Sequence, residues 1–259
     1  MSSLIQAAIV QKQVIGALML RNLVAEYGLS RAAFAWVVIR PVLVIAVFVA
    51  IGTFFRNTRP PQGMPLLAFI TTGYVTWLAF IRTFRDMPGA SRQGAVLMFP
   101  HLTPLDLMVA RAALDWAIYT TTFVLLVGLG LLLEGTSPPE DAFGVVMGFW
   151  AALSIGLCLG VMFTVLERFT TIFSMFLMLI QRVGLFVSGV LFAASALPSW
   201  ILPWLSWNPI FHILEIMRES WWPAYRSPVA DPAYVATCLF FLLALALVLE
   251  RSTRRWANL

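Results

Sequence analysis

Charged side chains are scarce in this chain of 259 residues. Asp, Glu, Lys and Arg make up 11% of it, whereas a soluble domain usually carries about 25%. Hydrophobic residues account for 61%, and the mean hydropathy is +0.89. Because so few charges cannot cover a water-exposed surface, the composition excludes soluble globular, disordered and disulfide-stapled proteins. We therefore predict an all-α integral membrane protein.

Lysine is nearly absent. Lys12 is the only lysine, so the other 16 of the 17 basic residues are arginines. A P-loop needs a lysine after a glycine-rich turn to reach the nucleotide phosphates, and Lys12 lies between Gln11 and Gln13. The chain therefore cannot hydrolyse ATP by that route.

Cysteine and histidine are equally rare. Cys158 and Cys238 lie in apolar stretches, where cysteine is usually a small buried hydrophobe. His101 and His212 are far apart, and no carboxylate cluster resembles a metal-diphosphate site. We therefore expect no disulfide, metal, cofactor or catalytic site. The first thirty residues lack a secretory signal pattern, so we expect them to belong to the mature protein.

Long apolar runs dominate the rest. A helix that crosses about 30 Å of hydrocarbon needs about 20 apolar residues. Six stretches qualify, at roughly residues 34–55, 65–84, 107–133, 143–166, 170–193 and 233–250. Six crossings place both termini on one side of the membrane.

Basic residues predict the orientation, because cationic loops stay in the cytoplasm. The side of the N-terminus would hold Lys12, Arg21, Arg31, Arg85, Arg92, Arg168, Arg251, Arg254 and Arg255. The opposite side would hold Arg56, Arg59, Arg218 and Arg226. Nine basic residues against four favour cytoplasmic termini.

Two segments outside the spans carry helical signals. In residues 3–27 an apolar set has helical spacing, and Arg21, Asn22 and Glu26 lie largely opposite it. The apolar set is Val14, Ile15, Leu18, Met19 and Leu23. This pattern predicts an interfacial helix on the cytoplasmic face, with a flexible tail as the alternative.

The second segment is residues 194–231. Its tryptophans are Trp200, Trp204, Trp207, Trp221 and Trp222, and they lie among the prolines Pro198, Pro203, Pro209 and Pro223. Since indole rings prefer the membrane boundary, we predict short re-entrant or interfacial helices on the outer face, although any one ring is equally explained by an ordinary aromatic belt.

These signals together predict a single transmembrane domain over residues 1–259. Its parts are a cytoplasmic interfacial helix (1–30), spans one to five (31–193), a periplasmic re-entrant or interfacial region (194–231) and the last span with a cytoplasmic tail (232–259).

Arg182 lies near the middle of the fifth predicted span. A charge there costs about 2.5–3.5 kcal/mol on insertion scales, so it should face protein or water. We predict a water-filled path that contacts an anion, and the alternative is an ion pair with Asp115 or Glu167. Arg40 and Arg82 lie near the inner ends of the first two spans, where snorkelling to the boundary is as good an explanation as substrate contact.

Other side chains belong to the same predicted path. Trp36, Tyr74 and Trp77 offer flat apolar faces to sugar rings, although each ring can equally serve packing. Pro41 should bend the first span beside Arg40, which suggests a gate.

Small residues recur every four positions in the fourth predicted span. They are Gly144, Gly148, Ala152, Gly156, Gly160 and Thr164. Small residues let helix backbones approach closely, and a four-residue stripe drifts about 40° per step around a helix. The pattern predicts a crossing partner helix, in this chain or in another.

Three segments resemble type-2 ABC exporters. They are Arg-Ala-Ala-Phe-Ala-Trp-Val-Val-Ile-Arg-Pro at 31–41, residues 93–106 running into Ala110-Arg111, and Pro198-Ser199-Trp200 with Trp-Asn-Pro-Ile-Phe-His at 207–212, then Glu215, Arg218 and Glu219. The resemblance covers nearly the whole chain. It is strongest to the membrane subunit of the capsular polysaccharide exporter of Gram-negative bacteria.

This resemblance implies an inner-membrane homodimer bound to two copies of a separate ATPase, which would hold ATP and Mg. The segment from Gln93 to Leu105 would dock on that ATPase through Gln93, Phe99, Pro100 and His101. The cargo would be an acidic, lipid-terminated polysaccharide that enters by the arginine path and leaves past Trp200, Trp204 and Trp207. A periplasmic adaptor and an outer-membrane polysaccharide export protein would receive it, and nucleic acid has no part.

The sequence therefore predicts a transport subunit and no enzyme. Two alternatives stay open: a type-2 exporter of O-antigen, teichoic acid or another amphipathic cargo, and a membrane scaffold in which the arginines are structural.

Overall fold

The structure is a computed structural model of the chain. It describes residues 2–28, 35–36, 39, 42–47, 50, 64–92, 102–134, 137–170 and 172–257. Several predicted features lie outside the described residues. These are Arg40, Pro41, the ATPase-docking residues Gln93, Phe99, Pro100 and His101, and most of the first predicted span.

The described residues form helices and no strands, which confirms the predicted all-α class. The helices are α1 (Ser2–Tyr27), α2 (Leu66–Ser91), α3 (Pro104–Glu134), α4 (Ala142–Leu166), α5 (Ile172–Val187), α6 (Leu202–Leu205), α7 (Pro209–Trp221) and α8 (Pro232–Ala257). Within α2, residues Thr71–Val75 form a π-helical segment.

Four helices of the described part of the chain are long and apolar enough to cross a membrane. They are Leu66–Ser91, Pro104–Leu132, Ala142–Leu166 and Pro232–Thr253, and they correspond to the second, third, fourth and sixth predicted spans. α5 has only 16 residues and ends at Val187 rather than near residue 193. Gly189, at φ +73°, turns the chain just beyond it. The count of six spans stays a prediction.

α2 lies at the centre of the bundle and packs on α3, α4 and α5. Its first half meets α7, where the Thr76 hydroxyl lies 3.6 Å from Met217 Sδ. Its second half meets the beginning of α3, close to the last turn of α1. The bundle therefore has two ends, an α1 end and an α7 end, and each holds a cluster of charged side chains.

The small-residue stripe of α4 contacts two helices of the same chain in succession. A Cβ at Gly144 or Gly148 would lie within 3 Å of side chains of α7. A Cβ at Gly156 would lie 2.7 Å from the Phe80 carbonyl of α2, and one at Gly160 would meet Met87. The crossing partners of the stripe therefore lie in the same chain. Because the stripe drifts around α4, it contacts α7 first and α2 further along.

α1 confirms the predicted helix and its apolar face. Leu18 packs against Leu107 and Ala110 of α3, flanked by other members of the apolar set. The side predicted to be opposite is also occupied, since Asn22 is buried and Glu26 is ion-paired. α1 is therefore docked against the bundle on more than its apolar face.

Candidate functional site: a charged cavity between α1, α2 and α3

Six charged side chains meet at the α1 end. Glu26 comes from α1, Arg82, Arg85 and Asp86 come from α2, and Arg111 and Asp115 come from α3. Three are cations and three are carboxylates, so the cluster is formally neutral. Pairing of this kind offsets the high cost of placing single charges among apolar helices.

Arg111 is the centre of the cluster. Its guanidinium lies 2.5 Å from Glu26, 2.5 Å from Asp86 and 3.1 Å from Asp115. Asp115 is almost completely buried, and its spacing of four residues from Arg111 places both side chains on one face of α3. Arg111 therefore joins three helices through one planar group, a task that suits the fixed fork of a guanidinium.

Glu26 bridges two arginines from different helices. One carboxylate oxygen binds Arg82, and the other binds Arg111 at 2.5 Å. Burial raises the pKa of Glu26, but the hydrogen bond and charge of Arg111 and the charge of Arg82 outweigh it, so the pKa lies below its ordinary value. Burial, with the Glu26 charge, raises the pKa of the neighbouring Tyr27 to about 12. Glu26 is thus held as a carboxylate at the end of α1.

A cavity of about 230 Å³ adjoins this cluster. Its lining combines charged, aromatic and apolar side chains: Glu26, Tyr27, Trp36, Val44, Tyr74, Leu78, Ile81, Arg82, Arg85, Tyr119 and Gln181. Three of the predicted path residues, Trp36, Tyr74 and Arg82, are therefore brought together. The arginine of the path is not free, because Glu26 and Asp86 both pair with it.

Two other predicted path residues lie outside this lining. Trp77 is buried, and a Cβ at Gly184 of α5 would lie 2.4 Å from its ring, so Trp77 is a packing residue in this conformation. Arg182 is exposed on α5, next to Gln181 of the cavity. Its two proposed carboxylate partners are engaged elsewhere, because Asp115 pairs with Arg111 and Glu167 with Arg92. Neither ion pair considered for Arg182 therefore exists in this structure.

The α7 end contains a second, deeper cluster around Arg218. The side chain is completely buried and binds Glu215 at 2.8 Å, together with the carbonyl oxygens of Gly189 (2.8 Å) and Phe192 (2.9 Å). Its guanidinium lies 4.1 Å from the centroid of the Phe69 ring on α2. Arg218 thus attaches the segment after α5 to the core, whereas the sequence placed it among loop cations.

The Glu215 carboxylate accepts hydrogen bonds from neutral donors as well as from Arg218. The Tyr225 hydroxyl donates to it, and so does the Ser227 hydroxyl at 2.7 Å. Burial, followed by the Glu215 charge, raises the pKa of Tyr225 to about 12. With Tyr225 protonated, the cluster holds one positive and one negative charge.

The five tryptophans of residues 194–231 divide into two groups. Trp200, Trp204 and Trp207 are 71%, 81% and 81% exposed. Trp221 is buried and stacks on Trp222 with a centroid separation of 5.4 Å. Short helices occupy this region, as predicted, but their position relative to a membrane stays a prediction.

The carboxylate partners are what sequence reasoning missed. Arg82 with Asp86 and Arg111 with Asp115 are four residues apart, and Glu215 with Arg218 are three apart, which on a helix signals pairing. Glu26 carries no such local signal, since its arginines are 56 and 85 residues away. No group of three or more His, Cys, Asp or Glu suited to a metal ion is present in the described ranges.

Apolar helices of spanning length, packed around buried ion pairs, define a helical integral membrane protein with several membrane spans. The sequence is similar to known proteins of the bacterial inner membrane. The chain is 27% identical over 247 residues to the polysialic acid transport protein KpsM of Escherichia coli, covering 94% of each chain. It is 26% identical over 251 residues to the capsule polysaccharide export inner-membrane protein CtrC of Neisseria meningitidis serogroup A, covering 95% of this chain and 93% of that protein.

A third relative has the same character. The capsule polysaccharide export inner-membrane protein BexB of Haemophilus influenzae is 23% identical over 248 residues, with 95% and 93% covered. No protein-family model matches the chain. The resemblance predicted from the sequence is confirmed: over almost its entire length the chain is similar to inner-membrane proteins of capsule polysaccharide export.

Proposed function

We propose that this chain is the membrane-spanning subunit of an ATP-driven exporter that moves lipid-linked capsular polysaccharide across the bacterial inner membrane. The observation that carries the proposal is similarity to one polysialic acid transport protein and two capsule polysaccharide export inner-membrane proteins over 93–94% of their length. A similarity that spans both chains supports a shared whole-protein task rather than one shared segment.

The charged cavity fits the entry side of such a path. With cytoplasmic termini, as the loop charges predict, the α1 end faces the cytoplasm. Trp36 and Tyr74 supply flat apolar faces for sugar rings, and Arg82 and Arg85 supply guanidiniums for acidic groups. Arg40 would lie with Arg82 at the inner end of the path, and Arg182, near the middle of its predicted span, would continue the path toward the outer face.

The order of the helices suggests how ATP hydrolysis would act on this cavity. The predicted docking residues Gln93, Phe99, Pro100 and His101 belong to the connection between α2 and α3. These are the two helices that carry Arg82, Asp86, Arg111 and Asp115. Two partner ATPase subunits, with bound ATP and Mg, would therefore move the charged cluster directly through a short connection.

The α7 end would be the exit. Trp200, Trp204 and Trp207 project outward there and would meet the emerging chain or a periplasmic adaptor. A homodimer would form the complete path, and an outer-membrane polysaccharide export protein would lie beyond it.

Gene deletion and complementation test the function. In cells that lack this chain, we expect acidic polysaccharide to accumulate inside and disappear from the surface, as measured by staining of intact and lysed cells. Loss of O-antigen or teichoic acid in its place would favour the exporter of another cargo, and no change in any surface polymer would favour the scaffold.

The Phe99→Asp variant tests coupling in the same cells. A charge at a docking residue should prevent co-purification of the ATPase subunit and abolish export while the chain stays in the membrane. Lys12→Glu, a charge change on the exposed part of α1, serves as the control and should retain both. Co-purification and export at normal levels with Asp at residue 99 would contradict the docking role.

A further inference from the structure

Glu26 occupies a position that its own helix does not favour. It lies in the last turn of α1, one residue before the helix ends at Tyr27. The carbonyl end of a helix carries partial negative charge, so a carboxylate there is unfavourable unless cations compensate. Arg82 and Arg111 provide that compensation from outside the helix. The end of α1 is thus held on the bundle by two charged contacts across the cavity wall.

Arg82 and Arg111 converge on a position that suits an oxyanion. Two guanidiniums from different helices converge on the two oxygens of one carboxylate, which is the arrangement that carboxylate and phosphate groups favour. A third guanidinium, Arg85, lines the same cavity and pairs only with Asp86, through Nε at 3.1 Å, among the described residues. The site can therefore accept a negative group whether or not that group belongs to Glu26.

The charge balance points to an anionic ligand. With Glu26 in place, the three arginines face three carboxylates and the cluster is neutral. If Glu26 withdraws, Arg82, Arg85 and Arg111 face only Asp86 and Asp115, which leaves one net positive charge. One monoanionic group would restore neutrality, and the adjoining cavity offers Trp36 and Tyr74 to the rest of such a ligand.

We propose that Glu26 occupies the binding site of an anionic group of the cargo. This group is an oxyanion of the incoming glycolipid, either a sugar carboxylate or a lipid phosphate. It binds Arg82 and Arg111 in exchange for Glu26 and so releases the end of α1. This inference rests on the proposed function and adds to it the binding group and its internal competitor. Gly28, at φ +69° and with no atom within 4 Å of an added Cβ, lies in open space directly after α1. The buried Leu18 and Asn22 lie at least one helical turn before Glu26, so unwinding of the last turn of α1 alone would release Glu26 while both stay packed.

The test is ligand binding to the purified full-length chain in neutral detergent. The anionic probes are phosphatidylglycerol and trigalacturonate, and their neutral controls are phosphatidylcholine and maltotriose. Glu26→Gln keeps the size of the side chain and removes the competing charge. We expect it to bind an anionic probe about tenfold more tightly than the wild type and the neutral probes equally. Arg82→Gln should weaken binding of the anionic probes.

Glu219→Gln is the matched control. It also removes a carboxylate from an arginine pair, that with Arg226 at 2.9 Å, but this pair lies at the α7 end and its arginine is largely exposed. Probe binding should not change. A response to phosphatidylglycerol alone assigns the site to the lipid end of the cargo, and a response to trigalacturonate alone assigns it to sugar acids. Equal or weaker anion binding by Glu26→Gln, or a gain that the neutral probes share, overturns the proposal.

A measurement on the wild-type chain keeps the test independent of folding in the variants. Saturating anionic probe should speed amide hydrogen exchange in residues 20–27, and the matched neutral probe should not. Unchanged exchange with bound anionic probe would overturn the exchange mechanism. Capsule complementation separates the two ideas. If the chain restores export but Glu26→Gln does not change binding of the anionic probes, only this inference is rejected. If Glu26→Gln tightens that binding but the chain has no role in export, only the proposed function is rejected.

Discussion

At the scale of single residues, Arg218 shows how the apolar core of this helical bundle accommodates a buried charge. It has no exposed surface, yet it neutralises Glu215 and donates to backbone carbonyls of the segment that follows α5. These carbonyls lie just beyond a helix end, where no helical partner is available to them. The guanidinium therefore satisfies the carboxylate and the backbone carbonyls together, including the carbonyl of Gly189 at the turn.

Replacing Arg218 should destabilise the protein strongly. Arg218→Met leaves the Glu215 charge buried without its cation, and breaking a buried pair in this way costs about 3–5 kcal/mol. We expect a large fall in the thermal unfolding midpoint of the purified protein in detergent. The double variant Arg218→Met/Glu215→Gln should recover part of the loss, because the unpaired charge is gone.

The exposed pair at the same end provides the comparison. Arg226→Met removes the cation that pairs with Glu219, but the Arg226 side chain is 78% exposed, and such pairs contribute little. Its unfolding midpoint should match the wild type. Equal midpoints for Arg218→Met and Arg226→Met would contradict the role of Arg218 in attaching the segment after α5 to the core.

At the scale of elements, α4 is organised by glycines that admit two neighbours. Near its start it approaches α7, and further along it approaches the backbone of α2. The second contact is the tighter constraint, since at Gly156 the nearest atom is a main-chain carbonyl that cannot rotate away. The absence of a side chain therefore sets the distance between the two helices that pack most extensively.

Gly156→Ala should weaken that contact. An added Cβ would lie 2.7 Å from the Phe80 carbonyl oxygen, so α2 and α4 must separate and lose packing on both sides. We expect a lower thermal unfolding midpoint in detergent. Gly128→Ala on α3 is the matched control, because nothing lies within 4 Å of its Cβ and alanine is the better helix former. It should be neutral or stabilising, and a Gly156→Ala variant as stable as this control would refute the close approach.

At the scale of the whole molecule, α5 presents a charged side chain on an apolar surface. It exposes Arg182 together with large apolar side chains such as Met178, Leu179 and Phe186. A guanidinium against hydrocarbon is costly, so Arg182 must meet water or another protein surface in the membrane. The proposed homodimer, with a path along its axis, satisfies this requirement.

Arg182→Ala should therefore reduce export without removing the chain from the membrane. The loss of a cation from the proposed path would slow an acidic polymer, and Arg182→Lys should retain part of the activity because it keeps the charge. Surface polysaccharide, normalised to the membrane level of each variant, measures the effect. Arg251→Ala, exposed near the end of α8, should export normally. Unchanged export by Arg182→Ala would remove Arg182 from the path.

Much of the architecture was accessible from the sequence by itself. Composition and the length of apolar runs determined a helical membrane protein, since hydrocarbon demands about 20 apolar residues per crossing. Four of the predicted spans coincide with helices of spanning length, and the apolar spacing of residues 14–23 predicted the face by which α1 packs. Such features depend on neighbours along one helix, so local periodicity is enough to reveal them.

Only the tertiary structure decided which charges meet. Glu26 joins Arg82 and Arg111 across 56 and 85 residues, and no spacing rule along the chain reaches that far. It decided in the same way that Trp77 packs on α5 while Tyr74 lines the cavity, and that Arg218 is buried rather than in a loop. The physical reason is that an ion pair or a cavity wall is a property of helices brought together, whereas the sequence by itself specifies each helix and the face it must bury.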